Sequence, residues 1–322
     1  MTYRGDYSRQ SFLGQDSNVV LAATRVAIVG LGGGGSHIAQ QLAHLGVGNY
    51  RLIDPQQIED SNLNRLVGGT QADVKSETPK VEIARRQILS IRPWANVETA
   101  QLEWQAADDL IKDAHVVFGC VDGYRQRMYL ESAARRFGVP YIDIGMDVTE
   151  VEPGHFAIAG QMILSVPGGP CMRCLGFLTQ DRLDREENTY GDAGINPQVV
   201  WTNGTLASVA VGAVVKLITP WFDDPREFEW LELDGNRQTI TPSEQPEYVL
   251  RGPCSHFHAR DLGDPFFNLD KVLDEERLNE IVADDEALTV LAAPVIQVTE
   301  RPNKHSFFGW FSRRFRWLTR KR

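Results

Sequence analysis

Along residues 24–54 the spacing of apolar side chains changes twice. Residues 25–29 form a short β-branched run, Ile38, Leu42 and Leu45 fall at helical intervals, and Tyr50, Leu52 and Ile53 make a second short run ending at Asp54. Such a change of period predicts strand, turn, helix, strand, with Gly46 closing the helix: one βαβ unit. The alternation continues. Residues 80–91 read as a helix, 97–102 as a strand, 106–111 as a short helix and 116–118 as a strand. A helix follows over 125–137, closed by Gly138, and then a strand over 141–144. This order predicts an α/β fold, a Rossmann-like and mostly parallel sheet with helices on both faces.

Past residue 150 the pattern loosens. Residues 155–166 alternate as strands do and predict a mixed or antiparallel extension of the sheet; 168–175 is a Pro/Gly/Cys loop. Residues 179–198 are polar and read as a mobile loop, while 201–218 is a long helix of small and apolar residues suited to deep packing. Residues 260–300 are acidic and show no clear period.

Composition narrows the picture. Hydrophobic residues make up 42% of 322, enough for a packed core. No unbroken apolar run approaches the length of a membrane span, and the first residues lack the apolar stretch of a signal peptide, so the expected location is cytoplasmic. Residues 301–322 hold eight of the 33 Lys and Arg and no acid; the other 25 basic residues face 43 acidic ones. An acidic body argues against extensive nucleic-acid contact. Four cysteines are present, Cys120, Cys171, Cys174 and Cys254, and the CxxC pair among them reads as metal-binding or redox in a reducing compartment.

The candidate chemistry begins at Gly30-Leu31-Gly32-Gly33-Gly34-Gly35, between the first strand and its helix. Glycines there let a phosphate approach the backbone, and the helix N-terminus offers amide donors; an acid ending the next strand, Asp54, suits ribose hydroxyls. These residues alone indicate a nucleotide and leave a dehydrogenase open.

Further segments resemble the ThiF/MoeB/HesA family of ubiquitin-activating, E1-like adenylating enzymes. Residues 54–65, DPQQIEDSNLNR, resemble that family's DxDxVxxSNLxRQ; GLGGGGS resembles its GxGGxGS; Tyr7-Ser8-Arg9-Gln10 resembles its RYSRQ. Thr78-Pro79-Lys80-Val81-Glu82 and Cys120-Val121-Asp122-Gly123-Tyr124-Arg125-Gln126-Arg127 stand where the family carries PK-V/A-E and CTDNxxxR. The resemblance implies ATP and Mg²⁺. Gly30, Gly32, Gly33 and Gly35 would form the nucleotide loop, Asp54 would bind ribose, Asn62, Arg65 and Lys80 would contact phosphates, and Asp122 would hold Mg²⁺. Arg9 would reach the ATP of a second subunit, which implies a homodimer. Gln56, Leu66 and Gly123 depart from the pattern, and two extra residues between Arg65 and Lys80 leave Lys75 as a weaker alternative. It also implies an adenylation domain over 1–258, with an arm at 1–23 and a crossover loop near 176–199, then an extension at 259–300 and a basic aromatic tail at 301–322.

Pro170-Cys171-Met172-Arg173-Cys174 matches the family's first zinc knuckle. The second cysteine pair is replaced by Cys254-Ser255-His256-Phe257-His258, with Phe257 where the fourth cysteine would stand. Zinc accepts imidazole, so Cys171, Cys174 and Cys254 with His256 or His258 make a plausible structural Zn²⁺ set. In the crossover loop Tyr190 stands where some members carry an acyl-accepting cysteine, and no cysteine lies between 174 and 254. A stable thioester is therefore not expected; the adenylate would pass to a sulfur donor, an amine or a separate conjugating enzyme. The tail alternates aromatic and basic residues, with Phe307, Phe311, Phe315 and Leu318 on one side of a helix, a pattern suited to an anionic membrane surface or an acidic protein.

The expected function is ATP-dependent adenylation of the C-terminal glycine of a small ubiquitin-like or sulfur-carrier protein. The rivals are adenylation of a short peptide or a tRNA-borne carboxylate, and a catalytically inactive scaffold that binds a ubiquitin-like partner.

Overall fold

The computed structural model describes residues 7–189, 197–222, 227–250 and 252–257. His258, Tyr190, the 259–300 extension and the basic tail lie outside them. After a 3-10 turn at Ser8–Leu13, the chain runs α1 (Ser17–Ala23), β1 (Arg25–Val29), α2 (Gly33–Leu45), β2 (Asn49–Ile53), α3 (Gln71–Lys75), α4 (Lys80–Ile91) and β3 (Asn96–Ala100). It continues through α5 (Asp108–Lys112), β4 (Val116–Gly119), α6 (Tyr124–Arg136), β5 (Tyr141–Glu152) and β6 (His155–Ser165). The remaining elements are α7 (Gln180–Thr189), α8 (Val200–Ile218), β7 (Phe228–Asp234), β8 (Thr239–Pro242) and α9 (Gln245–Val249).

The sheet has eight strands in the order β3-β2-β1-β4-β5-β6-β7-β8. The first five are mutually parallel; β6, β7 and β8 continue the sheet antiparallel. Val26, Ala27 and Ile28 of β1 are fully buried, as a central strand covered on both faces requires. The chain passes from β1 to β2 through α2 and from β4 to β5 through α6, in opposite directions along the sheet; the right-handed rule for such crossovers then puts the two helices on opposite faces. Around them α2 packs with α4 and α8, and α6 with α5 and α7.

The long packed helix expected over 201–218 is α8, and the mobile loop expected after 178 changes. By length and composition α8 passes as a membrane span, although no unbroken apolar run is that long. Here it packs on α2, β5 and β6, and Asn203 and Thr202 sit buried on its inner side. The supposed mobile loop at 179–198 contains α7. The cause is tertiary: Leu183 is buried, and Glu186 accepts hydrogen bonds from the amides of Tyr124 and Arg125 at 3.0 and 2.9 Å. That carboxylate satisfies otherwise unpaired donors at the start of α6.

Candidate active site

The strand order reverses at β1, with β2 on one side and β4 on the other. The loops leaving β1 and β4 diverge there and open a crevice. It is a cleft of about 440 Å³, lined among others by Gly30, Gly32, Gly33, Asp54, Asn62, Arg65, Lys80 and Asp122. Eight of the predicted residues thus converge on one place. Gly30 has φ 87°, and a Cβ there would strike the Cys120 carbonyl oxygen, so the glycine admits the turn and the close passage of the β4 loop. Gly32 caps α2, whose first-turn amides face an incoming anion. Gly35 lies behind the lining, against the carbonyl of Gly30, and Gly34 takes its place in the cleft wall.

Asp54 is buried and fastens two turns together. Its Oδ2 accepts from the Leu31 amide at 2.6 Å and its Oδ1 from the Gln56 amide at 2.8 Å. Each oxygen keeps a further lone pair for a hydroxyl. Lys80 opens α4, and its Nζ donates to Gln56 Oε1 at 2.5 Å. The departure at position 56 therefore sets a neutral amide where the resemblance implied an acid. Burial lowers the pKa of Lys80; Asp54, Asp122 and Glu59 oppose that shift and Arg65 adds to it. Lys75 is exposed in α3 and takes no part in the lining.

Asn62 Oδ1 accepts from the Glu59 amide at 3.1 Å and so holds the 3-10 turn Asp60–Asn62 at the cleft edge. Arg65 Nη1 donates to the Ser61 carbonyl at 2.7 Å and Asn64 Oδ1 at 2.9 Å, which holds the guanidinium without a carboxylate partner among the described residues. Leu66 packs with Ile58 and Ile83, so its departure from Gln serves a small apolar cluster under this turn.

Asp122 follows β4 and is exposed at the cleft. One carboxylate beside a phosphate-binding loop fits Mg²⁺, which uses few protein ligands and takes the rest from phosphate and water. Gly123, with φ 86°, lets the Glu186 carboxylate lie over the backbone next to Asp122, which accounts for that departure. Arg9 is exposed on the Ser8–Leu13 turn and does not line the cleft of its own chain.

Sequence reasoning gave no role to Arg127 or Asn203, both in the cleft wall. Arg127 is 8% exposed and pairs with Asp143 at 2.5 Å. The signal was present: Arg127 ends the segment already aligned with CTDNxxxR. Asn203 carried none, because it reaches the cleft only through the packing of α8 on Gly33.

A second cluster joins distant parts of the chain. Cys171, Cys174, Cys254 and His256 place their ligand atoms within 4.8 Å of one another. Cys171 Sγ lies 3.6 Å from Cys174 Sγ, and His256 Nδ1 lies 3.4 and 3.3 Å from these sulfurs. Tetrahedral zinc with ordinary bond lengths separates sulfur pairs by about 3.8 Å and sulfur from nitrogen by about 3.5 Å, so the set fits. Its platform is a buried network in which Arg135 donates to the Gly169 carbonyl at 2.6 Å and Glu131 accepts from the Met172 amide at 2.9 Å. Phe257 sits under the Arg135 guanidinium, 5.0 Å from ring centre, and so fills the place of the fourth cysteine by stacking.

A model described as the ThiF family matches residues 6–248. The sulfur carrier protein ThiS adenylyltransferase of Bacillus subtilis is 31% identical over 225 residues, 67% of this chain and 61% of that protein. The SAMP-activating enzyme E1 of Haloferax volcanii is 32% identical over 174 residues, 52% of this chain and 60% of that protein. The molybdopterin-synthase adenylyltransferase of Haemophilus influenzae is 36% identical over 141 residues, 42% of this chain and 57% of that protein. The chain thus spans about three-fifths of the length of these relatives. Among solved structures, Escherichia coli MccB with succinimide has a TM-score of 0.62 at 21% identity, covering 78% of this chain and 75% of that one, a likeness of fold.

Proposed function

The chain belongs to the ThiF family, and on that premise we propose that it uses ATP to adenylate the C-terminal carboxylate of a small ubiquitin-like or sulfur-carrier protein. The observation that carries this reading is the convergence of the glycine loop, Asp54, Asn62, Arg65, Lys80 and Asp122 on one cleft. The carrier class comes from the relatives, whose names specify the sulfur carrier ThiS, SAMP and molybdopterin synthase.

The triphosphate would lie across the amides opening α2, with Lys80 and Arg65 neutralising its charge and Asp54 receiving ribose hydroxyls. A carboxylate oxygen of the carrier attacks the α-phosphorus, the bond to the bridging oxygen breaks, and pyrophosphate leaves with the electron pair. No proton moves, so the protein's task is alignment and charge compensation. Asp122 would hold Mg²⁺, which when bound supplies Lewis-acid charge neutralisation on the phosphates. Cys171, Cys174, Cys254 and His256 would hold a structural Zn²⁺ that fixes the 254–256 strip to the knuckle.

Arg9 belongs to this reading as a residue acting in the cleft of a second copy, within a homodimer. The acyl group would leave for a sulfur donor, an amine or a separate conjugating enzyme, without a thioester on this chain. ATP–pyrophosphate exchange tests the reaction: exchange should depend on one carrier and on its free terminal carboxylate. ATP binding without exchange for any carrier, peptide or tRNA would instead indicate a scaffold. Mixing Arg9→Ala and Lys80→Ala chains should partly restore exchange; confirmed mixed dimers without rescue would remove Arg9 from the site.

A further inference from the structure

Adenylation brings two anions into one cleft, and the residues named so far answer only the nucleotide. A carboxylate lined up for attack needs its own donor, held still before the substrate arrives. Arg127 meets that requirement. Although it lines the cleft it is nine-tenths buried, and two bonds fix its guanidinium: Nη1 donates to Asp143 Oδ2 and to the Ile144 carbonyl, the latter at 3.0 Å. Asp143 is itself held by the Tyr141 hydroxyl at 3.0 Å and by Gln161 Nε2 at 3.2 Å. Arg127 Nη2 has no hydrogen-bond partner among the described residues, although a guanidinium carries five donors in a fixed fork.

Backbone geometry explains how the guanidinium comes to rest there. A Cβ on Gly145 would lie 2.5 Å from Arg127 Nη2 and 2.9 Å from its Cζ, and 2.7 Å from Gln161 Nε2. Only the absent side chain lets the planar group settle on the cleft wall at β5. Because Asp143 compensates the charge of Arg127, the buried cation is stable when the cleft is empty, and its unused donor is held on the cleft wall beside Gly145.

We propose that Arg127, resting on Gly145 and braced by Asp143, receives the carboxylate that is to be adenylated; this rests on the adenylation reading and adds to it the residue that positions the attacking group.

The probe is glycyl-sulfamoyl adenosine, a stable mimic of an adenylated C-terminal glycine, compared with AMP by calorimetry on the full chain. The wild type should prefer the mimic by about tenfold to a hundredfold, the value of one hydrogen bond to a charged group. Gly145→Ala, which displaces the guanidinium, should erase that preference while AMP affinity stays the same. Arg127→Lys keeps the charge but loses the fork and should do likewise; it also serves if the alanine variant fails to fold. A full preference retained in either folded variant overturns the proposal. Equal binding of AMP and mimic by the wild type overturns it alone, whereas a wild type that binds neither overturns the adenylation reading with it.

Discussion

The nucleotide cleft and the cysteine–histidine cluster are built on opposite plans. In the cleft, three of the lining side chains are fastened within the first 80 residues: Asp54 by the amides of Leu31 and Gln56, Asn62 by its own turn, Lys80 by Gln56. Its cations are therefore in position before any ligand binds. In the cluster, Cys171 and Cys174 meet Cys254 and His256 from 80 or more residues away, and the thiols crowd one another. Burial pushes the Cys174 thiol up, whereas Cys254 is driven towards thiolate first by the Cys171 hydrogen bond. The lesson is that charge in the cleft can be removed without unfolding the protein, whereas removing a ligand of the cluster loosens a long-range crosslink.

The sharpest break in that comparison is Asp122→Ala. It should lower pyrophosphate exchange by about a hundredfold or more while the melting temperature stays unchanged. Unaltered exchange would take Asp122 out of the chemistry. Cys254→Ala, or chelation, should do the reverse, lowering the melting temperature by several degrees with about one zinc per chain lost. Elemental analysis and calorimetry read both effects, and a metal-free protein of undiminished stability would dismiss the zinc.

Acid–base behaviour sharpens the contrast further. On the proposed reading Lys80 must be protonated to neutralise phosphate, and burial holds its pKa below the ordinary 10.5. Exchange should therefore fall as pH rises, with the alkaline limb lying below that value. Lys80→Arg, which keeps its charge, should move the limb upward if any activity survives. For folding the sign is opposite: between the lowered value and 10.5 the unfolded chain binds more protons, so this group's contribution to stability rises with pH.

The smallest effect belongs to a structural pair that does not line the cleft. Arg86 forks onto Asp73 at 2.7 and 2.8 Å, which holds that carboxyl well below the ordinary 3.8. Its stabilisation is present above 3.8 and is lost as pH falls towards the depressed value. Because Arg86 is half exposed, Asp73→Asn should cost only about 1 kcal/mol by denaturant titration, with exchange unaffected.

The cleft was legible in the sequence because its residues are local to strand ends and turns. The 25–29 strand and the 80–91 helix were read with the bounds the structure shows, and eight predicted cleft residues fell together. What escaped depends on contacts between distant segments. Helix α7 is polar along its length, and its place rests on Leu183 and on the Glu186 carboxylate meeting the α6 amides. The strand expected over 141–144 runs on to Glu152 because β6 pairs with it along its length. Arg127 was visible as a letter in a motif, but its burial on Gly145 is a property of packed backbone. His256 and His258 were equivalent ligands by type; the structure brings His256 to the sulfurs, and His258 lies outside the described residues.

In the proposed reaction a carrier's terminal carboxylate becomes bonded to the α-phosphorus of ATP. Labelling that carboxylate with heavy oxygen, allowing one round of acyl transfer and weighing the nucleotide product tests it directly. AMP should then carry one labelled oxygen, with pyrophosphate unlabelled. Cleavage of ATP to ADP and phosphate, or AMP free of label, would contradict it.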